Sequence, residues 1–161
     1  MEKEIYMKNS KSAFTMIELI FVIVVLGILA GVAIPKFAAT RDDAQIAKGR
    51  SDIASIRSAI VTERQTRLIK GDSKFITSLH DTSVTPVAIL FDGNGTSTLL
   101  MYGITPKNTD GHWQTNATCT GGVCTYKFKV LGVDNIFTYT QSNGIFDCNT
   151  TAAPSCDQLT K

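Results

Sequence analysis

The feature that most constrains this chain is an unbroken apolar run, LIFVIVVLGILAGVAI from Leu19 to Ile34, headed by one carboxylate, Glu18. With Phe14 to Glu18 added, the run approaches the roughly 20 residues that a helix needs to cross a bilayer. In front of it lies MEKEIYMKNSKSA, a polar stretch with Lys3, Lys8 and Lys11 that has the character of the basic leader of an exported protein, with Met7 as an alternative start to Met1. Lys36 and Arg41 follow the run, so flanking charge alone does not orient it.

The cysteines supply the orientation. Cys119 and Cys124 form one close pair and Cys148 and Cys156 another, all in the last third of the sequence. Four cysteines allow three connectivities, and local pairing, Cys119 with Cys124 and Cys148 with Cys156, needs only short loops in an oxidising compartment. The carboxyl-terminal part then lies outside the cytoplasm and the leader inside it. Zinc is the rival use of these thiols, but the spacings are wider than C-x2-C and neither His80 nor His112 is close in sequence.

Glu18 needs an explanation, because a carboxylate at mid-membrane costs on the order of 2.5 to 3.5 kcal/mol on insertion scales. Cleavage of the Ala13–Phe14 bond would create a charged amine at Phe14, one helical turn away or within reach on a neighbouring chain. A carboxylate is also favoured at a helix amino terminus, where unpaired N–H groups and the macrodipole attract it. At the far end of the run, Pro35 has no N–H to give to the carbonyl of Gly31, and its ring crowds that carbonyl, so the helix is expected to loosen or bend there. Gly27 and Gly31 form a G-x-x-x-G pair, which allows close helix approach in a membrane but is also common simply because glycine is. An ordinary secretory signal is the simplest alternative for the whole segment, with cleavage after Gly31-Val32-Ala33, before Ile34. It leaves the acidic residue at the head of the run unexplained.

Ala-Phe-Thr-Met-Ile-Glu-Leu-Ile (Ala13 to Ile20), followed by the apolar run and Pro35, resembles the cleavage and methylation segment of type IV pilins and of the pseudopilins of type II secretion and DNA-uptake machines. The resemblance covers about two dozen residues. It implies that a prepilin peptidase removes the leader before Phe14 and that the new amine is N-methylated. It also implies that Glu18 pairs with the terminal amine of an adjacent subunit during assembly. Ala13 departs from the glycine usual at that position, though a small residue is retained.

After Pro35, Ile46, Ile53, Ile56 and Ile60 recur at the spacing of one helical stripe. From Phe14 to about Lys70 an unbroken helix would extend roughly 85 Å at 1.5 Å per residue. Gly71-Asp72 reads as its stop, with Arg67 and Lys70 complementing the dipole in the last turn. Basic residues outnumber acidic ones between Lys36 and Lys74, but the signs are interspersed and stacking aromatics are absent after Phe37, which fits a solvated or intersubunit face better than a DNA-binding one.

Beyond Phe75 come short β-prone runs: Val84 to Phe91, Thr98 to Ile104, Val123 to Leu131 and Asn135 to Thr140. Asp92-Gly93-Asn94-Gly95 is the expected turn between the first two, and Thr120-Gly121-Gly122-Val123 a hairpin tip that places Cys119 opposite Cys124. The expectation is an α+β protein: a leader (1–13), a transmembrane assembly helix (14–35), an exposed amphipathic helix (36–72) and a small antiparallel head (73–161). The resemblance makes this a type IV pilin-like fold with a disulfide-bounded carboxyl-terminal loop.

No catalytic constellation is visible, since His80, His112 and Trp113 have no partner at catalytic spacing. No cofactor is expected. Asp134, Asp147 and Asp157 are candidate calcium ligands only by analogy with the major pseudopilins, without EF-hand-like spacing. The family implies a non-enzymatic filament subunit, anchored in the bacterial inner membrane before assembly and in a periplasmic or extracellular filament after it. Its partners would be the peptidase and N-methyltransferase, other pilin-like subunits, and an assembly ATPase with its platform protein. Secretion, adhesion and motility, or DNA uptake would be the output. A secreted enzyme or binding module with an ordinary signal is the rival class.

Overall fold

A computed structural model describes residues 14–93, 99–114, 116–150 and 155–161. The chain divides into two compact units, one ending at Ala39 and the other running from Thr40 to Lys161. One helix, α1 (Met16–Ile69), contributes to both, and five strands follow: β1 (His112–Trp113), β2 (Thr118–Thr120), β3 (Val123–Val130), β4 (Val133–Thr140) and β5 (Ile145–Cys148). A short helix, α2 (Cys156–Thr160), ends the chain. A long apolar amino-terminal helix followed by a small antiparallel sheet is a type IV pilin-like α+β architecture.

In the first unit every large apolar side chain from Met16 to Phe37 is exposed. Helical backbone continues across Gly27, Gly31 and Pro35, so the proline leaves the helix intact.

In the second unit α1 turns one stripe inward: Gly49, Ile53, Ile56, Ile60 and Glu63 are buried, with Ile46 half-covered at the margin. Gly49 lies against Phe128 of β3 and Leu159 of α2, and a Cβ there would come within 2.7 Å of the ring and 2.8 Å of the leucine. Its smallness sets how closely helix and sheet approach. The helix ends in a Schellman motif: Gly71 has φ +85°, its N–H donates to the carbonyl of Leu68, and the N–H of Asp72 donates to that of Arg67. Arg67 also bridges Glu63 at 3.0 Å and Asp72 at 3.3 Å, which ties the last turn to its exit.

The sheet runs β1-β3-β4-β5, with β2 also paired to β3. Strict alternation in β3 and β4 sends Tyr126, Phe128, Val130, Phe137 and Tyr139 into the core, where Trp113 from β1 and Phe146 from β5 join them. Gly121 (φ +61°) and Gly122 (φ +80°) form the two-residue tip between β2 and β3, a mirror-image turn that glycine makes without steric cost. Cys119 therefore faces Cys124 and is bonded to it, with Cα atoms 4.0 Å apart. Cys148 is bonded to Cys156, joining the end of β5 to α2. β5 forms the edge of the sheet, and Arg57 of α1 covers it by donating to the Phe146 carbonyl at 3.0 Å and to Asp147 at 3.0 Å.

The first two expected strands are not formed. Among the described residues, Val84 to Phe91 and Leu99 to Ile104 are linked only by the Leu90–Ile104 bridge and the Leu100 to Phe91 bond, with His80 also bridged to Leu90. Pro86 removes a ladder donor inside the first run, and Phe91 (φ +61°) and Gly93 (φ +85°) turn the backbone out of strand geometry. Of the expected turn, Asn94 and Gly95 lie outside the described residues. The stretch just before the first run, from Ile76 to His80, is held by side chains of the sheet. Tyr126 accepts from the N–H of Leu79 at 3.1 Å, its hydroxyl lies 3.0 Å from His80 Nδ1, and Tyr139 donates to the carbonyl of Ile76 at 2.8 Å. Burial pushes the Tyr126 phenol well above its ordinary range and that of Tyr139 up to about 12, so both stay neutral donors or acceptors.

Candidate functional site

The candidate site is the start of α1. Thr15 precedes the helix and accepts a hydrogen bond on Oγ1 from the backbone N–H of Glu18 at 3.3 Å, while its carbonyl accepts from Leu19 at 3.2 Å. This is an N-cap, and Glu18 occupies the third helical position after it. The T-x-x-E spacing is the sequence signature of a capping box, a signal that the reading above did not use. Thr15 is therefore a positioning residue for the site: it fixes where the helix begins and hence that Glu18 stands in the first turn.

Phe14 lies one residue before the cap and is 78% exposed, and Glu18 is exposed as well. Ala13, the other half of the expected scissile bond, lies outside the described residues. Gly27 and Gly31 face open space, since a Cβ on either would meet nothing within 4 Å among the described residues. Their small size is not required by packing within the chain. An 18-residue window of α1 has a mean hydropathy of 2.9, and none of it is covered by the described residues. Apolar area of this kind favours removal from water by about 25 cal/mol per Å², so lipid or other helices must cover it.

The remaining candidates are dispersed. Asp134 accepts from Gln114, Asp147 pairs with Arg57 at 3.0 Å, and Asp157 pairs with Lys161 at 3.6 Å. Each of the three aspartates has its own partner, and among the described residues no three acidic, histidine or cysteine side chains gather into a metal-sized group. His80 is buried beside Ser78 and Tyr126, and loss of solvation holds its pKa below the ordinary imidazole range. Trp113 is fully buried and donates to Asp52 at 3.2 Å, and His112 faces the carbonyl of Asp110 at 3.0 Å. Burial raises the Asp52 pKa, against the opposing effect of the Trp113 hydrogen bond.

Comparison with known proteins points to the same end of the chain. The family described as "Prokaryotic N-terminal methylation motif" matches residues 8–34. A "Fimbrial protein" of Moraxella nonliquefaciens is 31% identical over 103 residues, covering 64% of this chain and 62% of that protein. "Type II secretion system core protein G" of Pseudomonas aeruginosa is 36% identical over 53 residues, covering 33% of this chain and 37% of that protein. The chain thus spans about three fifths of the first relative and under two fifths of the second. No solved structure matches.

Proposed function

We propose that this chain, which carries the N-terminal methylation motif of type IV pilins and pseudopilins and shares their architecture, is a structural subunit of a pilus-like or secretion filament. The observation that carries the proposal is a membrane-length apolar helix that none of the described residues covers, with a capped carboxylate in its first turn. Such a helix has two stable surroundings, the bilayer before assembly and a bundle of like helices after it. Glu18 links the two. In a helix bundle its charge needs a counter-charge, and cleavage between Ala13 and Phe14 supplies one on each subunit.

A prepilin peptidase cleaves the leader on the cytoplasmic face, and the Phe14 amine is methylated, which keeps its positive charge. The subunit rests in the inner membrane with its disulfide-bonded second unit outside the cytoplasm. An assembly ATPase and platform protein then move it into the filament, where Glu18 meets the amine of a neighbour. The similarity to the fimbrial protein extends over about twice as many residues as that to core protein G, which favours a pilus over a secretion filament. A DNA-uptake filament is the further variant of the same reading.

Intact-mass analysis of the protein from its own cells tests the processing. The expected result is a mature terminus at Phe14 with one added methyl group. A terminus at Ile34 would identify an ordinary secretory signal and remove the proposal.

A further inference from the structure

A cleft of about 700 Å³ opens where α1 ends, between two walls of different chemistry. One wall is basic and carries Arg64 of α1 and Lys74 just beyond it; the other is uncharged and mixed, built from the Gly121-Gly122 tip with Val123 and from the β4–β5 turn with Gln141 and Ser142. The backbone N–H of Gln141 donates to the carbonyl of Gly122 at 2.9 Å, which joins these two turns into one surface. The volume falls within the roughly 300 to 1,000 Å³ of small-molecule sites.

The basic wall is organised without being neutralised. The Arg64 guanidinium lies 3.8 Å above the ring of Phe75, and that ring packs so tightly on Gly144 that no Cβ could be added there. A cation held over an aromatic face keeps its N–H donors available in the plane. Among the described residues Arg64 makes no hydrogen bond or ion pair. The Lys74 ammonium likewise has none, although Asp72 is close enough to feel its charge. The nearby acids Glu63 and Asp72 are engaged by Arg67 instead, and no acidic residue lines the cleft.

We infer that this cleft binds an acidic sugar unit, a carboxylate carried on a polyhydroxylated ring. The carboxylate sits between Arg64 and Lys74, and the ring hydroxyls meet the amide, hydroxyl and backbone groups of the opposite wall. A small inorganic anion would fill the basic side and leave the neutral wall unused. The inference goes beyond filament assembly and does not rest on it.

The test is titration of the isotopically labelled full chain in detergent micelles with D-glucuronate, D-glucose, inorganic phosphate and a short single-stranded oligonucleotide, read from backbone amide shifts. Glucuronate is expected to bind with a dissociation constant on the order of 1 mM. It should move the Gly121, Gly122 and Gln141 amides, with glucose at least about tenfold weaker because it lacks the charge-assisted bonds. Lys74→Gln, an exposed change that touches no core residue, should weaken glucuronate about tenfold, and Arg64→Lys should weaken it less than Arg64→Gln. Four results would overturn the inference: equal binding of glucose, phosphate binding as tightly as glucuronate, oligonucleotide competing at far lower concentration, or unmoved amides on the neutral wall.

Discussion

The two ends of α1 obey opposite rules. Up to Phe37 all its large apolar side chains face outward, whereas in the second unit Ile53, Ile56 and Ile60 are almost completely covered. Residues of similar hydrophobicity thus have different fates according to what the rest of the chain supplies. Beyond Thr40 a sheet and a second helix provide a core, and before it none of the described residues covers the helix. Hydrophobicity in the first unit therefore faces outward, whereas along the isoleucine stripe of the second it is turned into the protein's own core, with Val61, Leu68 and Ile69 of the same helix left exposed. The lone carboxylate fits this division, because Glu18 stands on the outward-directed part.

The largest effect is expected at Glu18. Glu18→Ala should leave leader cleavage and the melting of the second unit unchanged. With the pairing proposed above, incorporation into filaments should fall by tenfold or more, since removing one partner of a buried pair costs about 3 to 5 kcal/mol. Normal incorporation would show that the carboxylate has no counter-charge to find. Next in size is a matched pair of truncations. Ile56→Ala should destabilise the second unit by about 2 to 5 kcal/mol and lower its melting midpoint by roughly 10 °C, while Ile28→Ala should not move that midpoint. Equal effects would mean that the division between the two ends is wrong.

A smaller effect is expected from opening the carboxyl-terminal bridge. Cys148→Ser with Cys156→Ser should cost about 2 to 3 kcal/mol in chemical denaturation, with α2 losing its protection against hydrogen exchange first. The smallest effect is a pH slope. The His80 pKa is lowered in the folded protein, so its contribution is fully present above the imidazole's ordinary 6.5 and is lost as pH falls through the folded value. The melting midpoint should therefore drop between pH 7.5 and 5.5, and His80→Asn should flatten that slope. Asp52, whose pKa is raised, acts in the opposite direction but only nearer the carboxylate range.

Much of this was legible in the sequence, and the rest was not for identifiable reasons. The long helix, its stripe of isoleucines and its stop at Gly71-Asp72 follow from periodicity and from the one residue type suited to φ +85°. β3 and β4 were visible because each alternates and has a partner on both sides. Val84 to Phe91 misled because β-prone composition says nothing of donors, and Pro86 within it should have counted against a strand. β1 and β5 are too short to show a pattern, and they exist because β3 and β4 offer them edges. At the site, Glu18 stands out by its charge and Phe14 only through the family resemblance, while the role of Thr15 needed the capping bond. Gly49 was invisible for a different reason: its importance lies in Phe128 and Leu159, which are far away along the chain.

The Arg57 contact on β5 has a consequence for crowding. An open strand margin invites a like strand from the next molecule, and polymerisation through a shared stalk would hold many such margins at high local concentration. A guanidinium laid across the Phe146 carbonyl occupies an acceptor that an incoming strand would need. One acceptor on the β5 margin is thus occupied from within the chain, and a strand approaching there would first have to displace Arg57.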